Sequence, residues 1–187
     1  MTERRSEATP VRMPHERAAA RHHWKVALGL VVVAYAWVTA VLAGTTADPP
    51  ALLAPPLSLP DLDGRTRTLQ EFLGARPVLL EFMSTDCPHC RYMGPVLARL
   101  HAGYGDRVTF LTVAFDRRAM RVRSFARAHG HQWSYLLGNE ETVRAYGLEG
   151  VPTFYVLGAD GRIHGRQVGS AGYEELARAL EAALRGP

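Results

Sequence analysis

The chain contains two cysteines, and they stand three residues apart in Cys87-Pro88-His89-Cys90. Thiols at that spacing can close on each other or exchange with a disulfide of another molecule, because a thiolate displaces one sulfur of a disulfide through a mixed-disulfide intermediate. Their place in the chain sharpens the expectation. The pair follows the apolar run Val78-Leu79-Leu80-Glu81-Phe82-Met83 and opens a stretch of helical periodicity. The sulfurs therefore fall at a helix N-terminus, where free N–H groups and the positive end of the macrodipole stabilise a thiolate. Cys87, the more exposed, is the expected nucleophile, and Cys90, turned inward, the resolving thiol. Pro88 suits the first helical position, where its missing N–H loses nothing. His89 lies in the same turn and is placed to favour the Cys87 thiolate, which would make the disulfide a stronger oxidant.

Other uses of two cysteines fit less well. A bridge closing four residues would stabilise the fold by only about 2 kcal/mol on the loop-entropy formula. A zinc site needs four ligands, and His101, His129 and His131 lack the paired spacing that would complete it. No metal and no cofactor beyond a redox-active Cys87–Cys90 disulfide is expected. Glu81 is an acid inside an apolar strand, where an unpaired charge is costly, so it should be functional or paired. Strand alternation over six residues puts it near the same end as Cys87, as a proton acceptor for Cys90, directly or through water. The competing reading pairs it with Arg162 or Arg166.

These residues need a scaffold, and the hydrophobic pattern supplies one. Strands are expected at 77–83, 107–115, 133–137, 153–157 and 162–168, and helices at 88–104, 117–129, 139–146 and 173–184. Asp61-Leu62-Asp63-Gly64 joins two short apolar segments, 57–59 and 66–69, as a hairpin, and Ala159-Asp160-Gly161 joins the last two strands. Strands alternating with helices and ending in a hairpin and a helix give an α/β sandwich around a mixed sheet. Val151-Pro152-Thr153 links a Gly-terminated helix to a strand, and taken alone it reads as an ordinary trans loop.

Charge and hydropathy divide the chain further. Residues 1–25 hold six of the 22 basic residues and three of the 18 acidic ones, so the remainder is nearly neutral and shows no basic patch for nucleic acid. Residues 26–47 carry no charge, and a 26–44 helix would reach roughly 28 Å, about the thickness of a hydrocarbon core. The expectation is a cytoplasmic basic segment at 1–25, a transmembrane signal anchor at 26–44, a Pro-rich linker at 45–56 and an extracytoplasmic domain at 57–187. A cleaved signal peptide is the rival, with small residues at Ala43 and Ala47.

Residues 55–185 resemble the thioredoxin-like superfamily, most of all its TlpA/ResA-type membrane-anchored branch. Several features carry the resemblance: the CxxC motif after a strand, Pro95 eight residues beyond Cys87, Glu81 six before it, and the late Val151-Pro152-Thr153. It implies a thioredoxin fold with an N-terminal hairpin, preceded by one transmembrane helix. It also implies a cis bond at Pro152 facing the sulfurs, with Val151 binding substrate backbone. The activity implied is extracytoplasmic thiol:disulfide exchange with protein substrates, in the reductase direction, reset by an integral membrane redox partner. Three departures keep alternatives open. Thr85-Asp86 stand where a tryptophan usually precedes the first cysteine, making this rim more polar, and Met93 replaces a glutamate of ResA-type proteins. The Cys-Pro-His-Cys motif resembles that of the dithiol oxidase DsbA. Ser84 fits a peroxiredoxin pattern, in which Leu80 would have to be proline, and His164 would serve a copper-binding factor resembling Sco proteins, whose cysteines lie one residue further apart.

Overall fold

The computed structural model describes residues 52–186. The segments 1–25 and 26–44 and the first part of the linker lie outside them; no helix among the described residues is long and apolar enough to cross a membrane. The elements in order are β1 (Ser58–Pro60), β2 (Thr66–Thr68), β3 (Val78–Met83), α1 (Pro88–Tyr104), β4 (Thr109–Ala114) and α2 (Ala119–Ala128). Then follow β5 (Ser134–Leu137), α3 (Glu140–Ala145), β6 (Thr153–Leu157), β7 (Ile163–Val168) and α4 (Tyr173–Arg185), with a short 3-10 turn, Leu69–Phe72, after β2.

Five strands make one sheet in the order β5-β4-β3-β6-β7, and β1 pairs with β2 in a separate antiparallel hairpin. β3, β4 and β5 are parallel, whereas β6 runs against β3 and β7 against β6. The parallel pairs require helical crossovers, which α1 and α2 supply; β6 and β7 need only a tight turn, closed by Gly161 at φ +81°. This is the thioredoxin fold.

The chemistry is placed by strand alternation in β3. All six of its residues are buried, but they part between two faces. Leu79 faces the layer of α1 and α4, with Met93, Leu97, Leu100, Phe154, Leu176 and Leu180. Val78, Leu80 and Phe82 face the opposite side, with Leu57, Leu59, Leu111, Val113 and Tyr155. Glu81 and Met83 share Leu79's face, so the carboxylate points toward the helix that begins at the cysteines.

Element ends agree with the sequence reading to within two residues. Arg107 and Val108 close α1 through hydrogen bonds to the Tyr104 carbonyl, so β4 starts only at Thr109. The linker reading needs a larger correction. Residues 52–56 belong to the folded body: Leu53 bridges Arg162, the Ala54 N–H donates to Gly161, and the Pro55 carbonyl accepts from the Tyr146 hydroxyl. Proline lacks a donor, but its carbonyl and extended backbone still dock on a sheet edge.

Candidate active site

Cys87 is the N-cap of α1, with φ −76° and ψ 120°, and Pro88 takes the first helical position. The chain climbs from the C-terminal end of β3 through Ser84 and Thr85, and the Cys87 N–H donates to the Ser84 carbonyl at 3.1 Å. At the cap, the Cys87 sulfur accepts from the Cys90 N–H at 3.4 Å, and its thiol donates to the Val151 carbonyl at 3.3 Å. Both cysteines are free thiols; Cys87 is partly exposed and Cys90 fully buried. The Val151-Pro152 bond is cis, which the local sequence did not indicate and the resemblance did. Val151 and Pro152 thus flank the exposed sulfur, on a loop held by the Thr153 hydroxyl, which donates to the Gly150 carbonyl at 2.7 Å.

Behind this surface the sulfurs meet a buried polar group. Burial pushes the Cys90 thiol well up, and the facing Cys87 and Glu81 add to the rise against a lowering contact from the Ser84 backbone. Glu81 is 3% exposed, and burial pushes its carboxyl up to about 7, against one hydrogen bond from the Thr112 hydroxyl at 2.9 Å. Among the described residues no arginine pairs with it. Arg166 reaches Tyr155, Gly147 and Glu149, and Arg162 sits on Asp160, so neither candidate partner from the sequence is engaged with Glu81.

His89, expected to favour the Cys87 thiolate, makes its own hydrogen bond elsewhere in the turn's surroundings. Its Nδ1 lies 3.1 Å from the Ser170 hydroxyl, on the loop before α4, while the hydrogen bonds of the Cys87 sulfur go to Val151 and Cys90. Thr85 also differs from expectation: it is buried, its N–H and hydroxyl both donate to Asp116, and the polar rim comes instead from Asp86, ion-paired with Arg121. A cleft of about 500 Å³ opens there, lined by Asp86, Phe115, Asp116, Arg117, Arg118 and Arg121. Met93 is sealed in the core, its sulfur accepting from the Ala171 N–H. His164 lies between residues that pair with the far end of β6, roughly 13 Å along the strand from Thr153. The structure therefore does not bring it to the cysteines.

The three other histidines among the described residues do come together, but as an aromatic wall. His131 stacks on Trp133 at 4.0 Å, His101 tilts against Trp133 at 5.0 Å, and His129 lies 4.3 Å from Phe125. Burial pushes His131 down to about 4, so the ring is neutral. Its Nε2 donates to the Gly94 carbonyl at 2.9 Å, and a Cβ built on Gly94 would lie 2.3 Å from His129. Among the described residues no group of three or more His, Cys, Asp or Glu side chains is placed to hold a metal. Trp133 reaches the site itself, since its indole N–H donates to the Thr112 hydroxyl at 2.9 Å. Sequence reasoning missed Thr112 and Trp133. Thr112 carried a usable signal, a polar residue inside the apolar strand Thr109–Ala114, of the same kind that marked Glu81.

Comparison with known proteins agrees with this geometry. Residues 51–166 match the AhpC/TSA family. Thioredoxin-like protein YneN of Bacillus subtilis is 30% identical over 131 residues, which cover 68% of this chain and 76% of that protein. Thiol-disulfide oxidoreductase ResA of Geobacillus thermodenitrificans is 28% identical over 159 residues, 83% of this chain and 87% of that protein. Among solved structures, a thiol:disulfide interchange protein of the thioredoxin family from Chlorobium tepidum superposes with a TM-score of 0.65 at 24% identity, covering 74% of this chain and 99% of that one. With a cysteine pair capping the first helix after β3 and a cis-proline loop against it, the chain belongs to the AhpC/TSA family, on its thioredoxin-like thiol:disulfide oxidoreductase branch.

Proposed function

We propose that this protein reduces disulfides of protein clients on the extracytoplasmic side of a membrane, anchored there by the apolar run 26–44. One observation carries the reading: a partly exposed sulfur beside the Val151 carbonyl stands over a buried thiol and a buried carboxyl. The Cys87 thiolate attacks one sulfur of a client disulfide; that bond breaks, and the other client sulfur leaves as a thiolate that takes up a proton from water. The client backbone lies extended along Val151 and Pro152. Cys90 then loses its proton to Glu81, directly or through water, and attacks the Cys87 sulfur. The mixed disulfide breaks, the second client sulfur leaves as a thiolate and takes up a proton from water, and Glu81 returns its own to water. The client departs as a dithiol, leaving the enzyme with the Cys87–Cys90 disulfide, two electrons having passed to the client. A dithiol donor in the membrane resets the pair.

The reductase direction is supported by His89. An imidazole hydrogen-bonded to the Cys87 sulfur would stabilise the thiolate and raise the oxidising power of the disulfide, whereas here the sulfur's hydrogen bonds go to Val151 and Cys90 and the ring's Nδ1 lies against Ser170. The potential of the pair tests the direction. A value near about −270 mV, with a reduced pair in cells, fits a reductase, and one near about −120 mV, with an oxidised pair, overturns it in favour of an oxidase. Cys90→Ala should accumulate client proteins joined through Cys87; a variant that captures none removes the exchange mechanism altogether.

A further inference from the structure

Glu81 lies on one rung of the sheet. Its register partners are Thr112 on β4 and Phe154 on β6, and Thr112 is in turn paired with Tyr135 on β5. The hydrogen-bond directions along this rung follow from what each group can donate. An indole N–H only donates, so at the Trp133–Thr112 contact the threonine oxygen accepts. A hydroxyl has one proton, and Thr112 spends it on Glu81 Oε2. Tyr135 also neighbours the Thr112 hydroxyl, but its own proton is committed in the opposite direction. The Gly94 carbonyl can only accept, so His131 carries its proton on Nε2, and its Nδ1 accepts the Tyr135 hydroxyl. Thr112 is thereby the single side-chain donor to Glu81 among the described residues. Oε1 has no hydrogen-bond partner among them.

We infer that Trp133 and Thr112 are positioning residues that commit Glu81 Oε2 as an acceptor, so that the proton taken from Cys90 is carried on Oε1, the oxygen that no donor holds. The inference rests on the proposed proton transfer from Cys90 to Glu81. The titratable groups facing Glu81 are Cys90 from α1 and Tyr135 from β5, and burial favours the neutral form of both. Proton affinity at Glu81 is therefore set by burial and by the Trp133–Thr112 chain. Without the indole, the Thr112 hydroxyl is free to turn and accept from a protonated Glu81, which favours the neutral acid.

The test uses the full chain and two readouts: the infrared carboxyl band of Glu81, assigned by its loss in Glu81→Gln, and the pH profile of mixed-disulfide resolution. Thr112→Val should raise the Glu81 midpoint by about one pH unit, a tenfold gain in proton affinity. Thr112→Ser should restore it, and Trp133→Phe should move it the same way by less. A midpoint unchanged in both Thr112→Val and Trp133→Phe overturns the inference. A midpoint that moves without the resolution profile upholds the positioning role and refutes the transfer from Cys90 to Glu81.

Discussion

Two buried acids flank the cysteine turn, and both are bonded to a threonine, yet their surroundings fit them for different work. Asp116, just beyond β4, receives two donors from one residue, the N–H and hydroxyl of Thr85. It thereby ties the end of one strand to the loop that delivers Cys87. Glu81, inside β3, receives a single hydroxyl on one oxygen and is buried deeply enough to be pushed up to about 7. A carboxylate with both oxygens occupied is a fixed acceptor, whereas one with a free oxygen and a midpoint near working pH can take and return a proton. On the proposed mechanism the number of donors, more than depth of burial, separates Asp116 as a structural acid from Glu81 as the proton carrier.

The sharpest way to break this contrast is Glu81→Gln, which should slow mixed-disulfide resolution on the order of 100-fold and flatten its pH dependence around 7 in stopped-flow assays. An unaltered profile would place Glu81 with Asp116 as scaffold. The same residue sets a stability trend. Its folded midpoint of about 7 lies above the ordinary 4.5, so the native state holds a proton that the unfolded chain releases. Stability linked to Glu81 is therefore full below pH 4.5 and falls as pH rises toward 7, by about 3 kcal/mol in all. Denaturant titrations of wild type against Glu81→Gln should diverge over that window and run parallel above it. Asp116→Asn, by contrast, should lower stability by about 2 kcal/mol through weakened charge-assisted bonds to Thr85 and leave the pH profile of resolution in place. Thr85→Ala removes only the hydroxyl bond and should cost about 1 kcal/mol in the same unfolding assay.

Much of this architecture was legible from pattern. Pro88 at the helix start and the helical periodicity after it delimit α1, and its observed bounds are those expected. Alternation in β3 alone was enough to aim Glu81 at the cysteines. Partners distant in sequence were not legible. Thr112 lies 31 residues from Glu81, and Ser170 lies 81 from His89. Such pairings depend on strand register and on rotamers, which single-residue chemistry does not fix. The competing reading of Glu81 thus gave it arginines that turn out to serve Tyr155 and Asp160. The cis bond before Pro152 came from family resemblance, because nothing local distinguishes it. The linker boundary was misplaced because proline richness reports stiffness and says little about docking; Leu53 and Ala54 still found an edge to join.

Gly94 sets a tolerance for the whole device. Its carbonyl is held by His131, and the ring of His129 occupies the space a side chain would need. A methyl group there would have to displace that ring or lift the helix that bears both sulfurs by about 1 Å, a shift large enough to misalign an in-line attack between them. The alignment of the reactive pair is thus gauged by a single hydrogen atom, one helical turn past the second cysteine.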